Sequence, residues 1–125
     1  MKLPGPDHPI TLTPFKGRIT VRFADEVVAQ SDQAIKLQEA SYPPVFYLPR
    51  ESANLALYQQ SQHQTHCPYK GDASYYDLMA GEQHSANVAW SYEAPYPAMQ
   101  AIKGYLAFYP DKVSFEIQEH ADPAG

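Results

Sequence analysis

Arg18-Ile19-Thr20-Val21-Arg22-Phe23 decides the fold, because polar and apolar side chains alternate along it without a break. Alternation at period 2 marks a half-buried strand, with Ile19, Val21 and Phe23 facing inward. Ala24-Asp25-Glu26 reads as a turn, and Val27-Val28-Ala29 returns as the second arm of a hairpin. Working outward, Gln33–Gln38 repeats the pattern with Ile35 and Leu37 on one face, and Val45–Leu48 is a short apolar strand stopped by Pro49. Further strands are expected at Ala73–Leu78, at Val88, Trp90 and Tyr92 (all on one face), at Tyr105–Tyr109 and at Val113–Ile117. Turns at Ala80-Gly81-Glu82 and Pro110-Asp111-Lys112 join them.

Two short helices are expected between these strands. One follows Pro49, with Ser52 as N-cap and Leu55, Leu57 and Tyr58 beyond it. The other runs from Pro97 at its first turn to Gly104 just past its end. The pattern predicts a mostly-β fold of seven or eight antiparallel strands. Residues 1–16, with four prolines, read as an irregular lead-in, and residues 120–125 as a flexible tail. The whole chain, 1–125, is expected to form one domain with its core in residues 17–117.

Composition narrows the function. Among 125 residues there are 12 prolines, which break up helices, and 10 tyrosines, whose rings suit sheet faces and pocket walls. A net charge of −5 speaks against a nucleic-acid binder or a polybasic membrane binder. No run approaches the ~20 apolar residues of a membrane span. Met1–Pro6 has no apolar core of a signal peptide, so a cytoplasmic location is expected. Cys67 is the only cysteine, which excludes an internal disulfide and any thiolate-rich zinc site.

The chemistry concentrates in His63-Gln64-Thr65-His66-Cys67-Pro68-Tyr69-Lys70-Gly71. A metal site there lacks a second pair of ligands, and the adjacent His66 and Cys67 diverge on a strand, so no metal is expected. Cys67 is a candidate reactive thiol if Lys70 lowers its pKa, against the plainer reading of a small buried hydrophobe. Lys70, held by the Pro68–Gly71 turn, is a candidate contact for an anionic or polar group, against a solvated loop lysine. Arg50 could grip a carboxylate or phosphate, or merely pair with Glu51 or Asp72 at the surface. There is no Gly-rich phosphate loop, no Gly-x-Ser-x-Gly elbow and no His-Glu-x-x-His, and no cofactor is implied.

Three blocks together resemble the bacterial and fungal domain-of-unknown-function family 427. They are Tyr47-Leu48-Pro49-Arg50 with Thr65–Tyr75, Ala89-Trp90-Ser91-Tyr92 with Pro95, and Gly104–Val113. The resemblance covers roughly residues 17–117 and implies a β-tent of two antiparallel sheets meeting at an angle. Related β-tent proteins commonly hold a structural zinc between two Cys-x-x-Cys knuckles, which a chain with one cysteine lacks. Where the family pattern has an aspartate at the start of the first helix, this chain has Ser52, which also caps well. A nucleotidyltransferase-like label attached to the family finds no support in these residues.

Carried over position by position, the family signature gives Tyr47, Arg50, Cys67, Lys70, Tyr75, Trp90 and Tyr92. The expectation is a small-molecule-binding domain whose cleft is lined by Lys70, Arg50 and the aromatics Tyr47, Tyr75, Trp90 and Tyr92. Were it an enzyme, Lys70 and Cys67 would carry the chemistry. Two alternatives stand beside this: a non-catalytic module for a protein or peptide, and a thiol oxidoreductase using Cys67, suggested only by fold relatives.

Overall fold

A computed structural model describes residues 1–120; the rest of the expected tail, residues 121–125, lies outside the described residues. His120 itself is tied down, its backbone N–H donating to the Lys16 carbonyl at 3.1 Å. The described chain is mostly antiparallel β, with ten strands and three short 3-10 segments. The strands are β1 (Ile10–Pro14), β2 (Gly17–Phe23), β3 (Glu26–Ser31), β4 (Ile35–Glu39) and β5 (Val45–Tyr47). They continue as β6 (Tyr58–Cys67), β7 (Gly71–Ala80), β8 (Gln83–Ser91), β9 (Ala107–Phe108) and β10 (Ser114–Glu119).

The β2–β3 hairpin forms as its alternation requires, with Ile19 and Val21 fully buried. Ala24 (φ 51°) and Asp25 (φ 64°) make a left-handed two-residue turn, whose twist matches that of the flanking strands. The lead-in is not irregular throughout, because β1 pairs antiparallel with β4, Leu12 opposite Leu37. Pro14, the last residue of β1, is tolerated because β1 is an edge strand of its sheet.

The strands form sheets of order β1-β4-β5, β10-β2-β3 and β6-β7-β8-β9. The first and third are stitched together where Leu48 and Leu106 exchange two backbone hydrogen bonds of 2.8 Å. The β6–β9 sheet is buried on both faces near its centre. Tyr76, Leu78, Ala89 and Phe108 belong to one apolar cluster with Ile19, Val21 and Val28. Ala73, Tyr75, Tyr92 and Ala107 belong to a second cluster with Leu37, Tyr47 and Met99. Neighbouring Tyr75 and Tyr76 thus point into different cores, as the pleat demands.

Three expectations need correction. The segments read as helices are short 3-10 turns at Arg50–Ser52, Leu55–Leu57 and Pro97–Ile102, the last broken at Met99. Ser52 ends its turn rather than starting a helix, and its hydroxyl donates back to the Pro49 carbonyl at 2.5 Å. Val88 does not share a face with Trp90 and Tyr92. Asn87 adopts φ 54° and donates its backbone N–H to Asp77 Oδ1 at 2.8 Å, forming a bulge that rotates Val88 into the first cluster.

Candidate functional site

The His63–Gly71 segment is the end of β6 and its turn into β7. Lys70 N–H closes that turn on the Cys67 carbonyl at 3.3 Å, and Tyr96 N–H donates to the Lys70 carbonyl at 3.0 Å. Gly71 follows with φ +114°, a backbone geometry that side chains rarely adopt, so the glycine is required by conformation. The result is a lysine whose backbone is pinned on both sides and whose side chain turns inward. Lys70 is only 7% exposed.

A buried ammonium needs partners, and Lys70 has two. Its Nζ donates to Glu39 Oε1 at 2.5 Å and to Cys67 Sγ at 3.7 Å, leaving one of its three N–H groups uncommitted among the described residues. Glu39, the last residue of β4, also meets His8 Nε2 through Oε2 at 2.7 Å. His8 in turn stacks on Tyr69, ring centroids 4.2 Å apart. Burial alone would raise the Glu39 pKa; the hydrogen bonds from Lys70 and His8 outweigh it and hold the carboxyl below its ordinary range.

Lys70 and Glu39 form the polar end of a cavity of about 230 Å³. Leu37, Tyr47, Tyr75 and Tyr92 line it from the second core, and Trp90 and Tyr109 complete the aromatic wall. The rings brace one another: Trp90 Nε1 donates to Tyr47 Oη at 3.2 Å, and Trp90 and Tyr109 lie 4.6 Å apart. Tyr109 Oη donates to Tyr75 Oη at 3.4 Å, and Tyr75 Oη also bonds Thr65 Oγ1 at 3.0 Å. Burial pushes the phenols of Tyr47 and Tyr92 well up and that of Tyr109 up to about 12, so all three stay protonated at neutral pH. The chemistry on offer is an ammonium and a carboxylate side by side, walled by neutral rings.

Of the residues singled out from the sequence, Tyr47, Lys70, Tyr75, Trp90 and Tyr92 converge on this cavity. Cys67 sits behind Lys70, half-buried and packed against the second core, and is not on the cavity wall. Arg50 does not line the cavity. The turn after Pro49 carries it to the Tyr76 side of β7, where its Nε donates to the Gly104 carbonyl at 3.1 Å. Its two other nitrogens reach Tyr76 Oη at 3.3 Å, Ser91 Oγ at 3.2 Å and Glu93 Oε1 at 2.8 Å. Arg50 is a clamp between the 49–52 turn and β8, and its carboxylate is Glu93 rather than Glu51 or Asp72.

Glu39, His8 and Tyr109 were not anticipated. The signal for Glu39 was available, since Ile35, Leu37 and Glu39 recur at period 2, and an acid on an apolar face calls for a buried cation. His66 is exposed and pairs with Asp72 at 2.7 Å. Among the described residues, no group of three or more His, Cys, Asp or Glu side chains is placed to hold a metal ion. No helix among them is long and apolar enough to cross a membrane.

The model of a family described as a domain of unknown function, DUF427, matches residues 11–119. No curated protein matches the chain.

Proposed function

We propose that this chain, which belongs to the DUF427 family, binds a small molecule in the cavity beside Lys70 and Glu39. The observation that carries the reading is that the buried Lys70 and the chain's only tryptophan, Trp90, line the same cavity. A mostly aromatic wall with a few fixed polar groups is the usual make-up of a small-molecule site. Because Glu39 already neutralises Lys70, the polar end favours a group that both accepts and donates hydrogen bonds over a bare anion. Any chemistry would fall to Lys70, which faces the bound molecule, with Cys67 behind it. The stitched sheets and the separate β10-β2-β3 sheet are the two leaves of a β-tent in this reading. A chain with one cysteine and so no internal disulfide to form suits the cytoplasm.

Trp90 makes the test direct. The protein is titrated with small amides, carboxylates, sugar phosphates and nucleotides while tryptophan emission and melting temperature are followed. A compound that shifts both, and loses its effect in Lys70→Ala and in the exposed wall variant Tyr42→Ala, supports the reading. If no compound moves Trp90 emission, and pull-downs instead recover one stable protein partner, the interaction-module reading replaces it.

A further inference from the structure

A second cavity, of about 550 Å³, opens between β5, β9 and β10, and no charged side chain among the described residues lines it. Its floor is Phe46, Phe108 and Phe115, and Ile117 stands at one side. It shares Tyr42, Pro43, Val45, Trp90 and Tyr109 with the Lys70 cavity, so the Trp90–Tyr109 pair is a common wall between a polar chamber and an apolar one. The volume is in the range of small-molecule sites, roughly 300–1,000 Å³.

From that shared lining we infer that the ligand is a neutral amphiphile, with a donor–acceptor head of the amide kind at Lys70–Glu39 and an apolar arm in the Phe46–Phe108–Phe115 chamber. The inference rests on the small-molecule reading above and adds the chemical class. An amide carbonyl can accept from the uncommitted Lys70 N–H. Its own N–H can donate to Glu39, whose two oxygens each keep an acceptor site after meeting Lys70 and His8. The apolar chamber is concave. Around it, only Tyr42 and Ile117 are large hydrophobics left exposed, and the remaining ones (Met1, Leu3, Val27 and Leu55) do not line it. A protein partner needs a broad apolar patch, which this is not.

The test is a homologous series of acetamide, butanamide, hexanamide and octanamide, read by Trp90 emission and by calorimetry on the full chain. Burial of the arm predicts that affinity tightens roughly fourfold per added methylene. Hexanoate, whose carboxylate meets Glu39, is expected to bind at least about tenfold more weakly than hexanamide. Ile117→Lys, at a half-exposed position on the side of the apolar chamber, should flatten the chain-length dependence. Butanamide binding that does not tighten with length overturns this inference and leaves the cavity reading standing. Hexanoate binding more tightly than hexanamide overturns the neutral head. A dimer of the chain that octanamide dissociates overturns the small-molecule arm in favour of a second copy. Emission unmoved by every member overturns the amide head and leaves the cavity reading to the wider titration above.

Discussion

Lys70 Nζ and Glu39 Oε1 stand 2.5 Å apart across the gap between the β6–β7 turn and the end of β4, with 9% and 18% of their side chains exposed. The contact joins residues 31 positions apart and sets an ion pair at the floor of an aromatic cavity. Removing either partner strands a charge that water barely reaches. Lys70→Met or Glu39→Gln alone should therefore cost on the order of 3 kcal/mol in chemical denaturation. The double variant should cost clearly less than the two single losses added together. Strict additivity would mean that the pair is not coupled.

The same pair sets an acid limit. The folded Glu39 carboxyl ionises more readily than a free one, so its contribution is fully present above the unfolded value of about pH 4.3. It is lost as pH falls through the lower folded value. The stability difference between the wild type and Glu39→Gln should hold steady down to about pH 4.3 and shrink as the pH falls below it. A difference that instead grows on acidification would contradict the assignment.

Alkali tests the tyrosine wall. Tyr47, Tyr58, Tyr76, Tyr92 and Tyr109 all hold their protons more tightly in the fold, chiefly through burial. Their contribution is intact below the free phenol value of about pH 10 and is lost as pH rises through the folded values. Phenolate absorbance should show these five ionising only above that value, together with unfolding. Ten tyrosines titrating in one step with the fold intact would contradict it.

Arg50 is expected to matter for stability and not for binding. Its guanidinium serves four acceptors at once, a fork that an ammonium does not reproduce. Arg50→Ala should lose about 2–3 kcal/mol, and Arg50→Lys should recover little of it. Ligand-induced changes in Trp90 emission should survive both substitutions. Loss of binding in a folded Arg50→Lys would return Arg50 to the site.

What the sequence made legible follows the strength of local signals. The β2–β3 hairpin announces itself because Ile19, Val21 and Phe23 alternate with polar residues before a short turn. β6 does not: between its ends, Gln59-Gln60-Ser61-Gln62-His63-Gln64-Thr65-His66 is polar throughout, because the largely exposed middle of an edge strand needs no apolar alternation. Ser52 and Pro97 carry helix-start signals, yet the chain there makes only short 3-10 pieces, the second broken at Met99. Val88 leaves its expected face because Asn87 takes a left-handed conformation that no alternation pattern encodes. For the candidate cavity, Tyr47, Tyr75, Trp90, Tyr92 and Lys70 were readable from the signature blocks, and Tyr109 was not. Arg50 was not placed correctly, because a turn of three residues decides which side of β7 it reaches.

Nuclear magnetic resonance of the isotopically labelled chain tests the central claim most directly, by following the Trp90 indole N–H and the Lys70 ammonium through one titration with hexanamide. Both signals should move together, saturating at the same concentration, since the two groups line one cavity. If hexanamide shifts resonances elsewhere and leaves both of these unmoved, the cavity is not its site and the account fails.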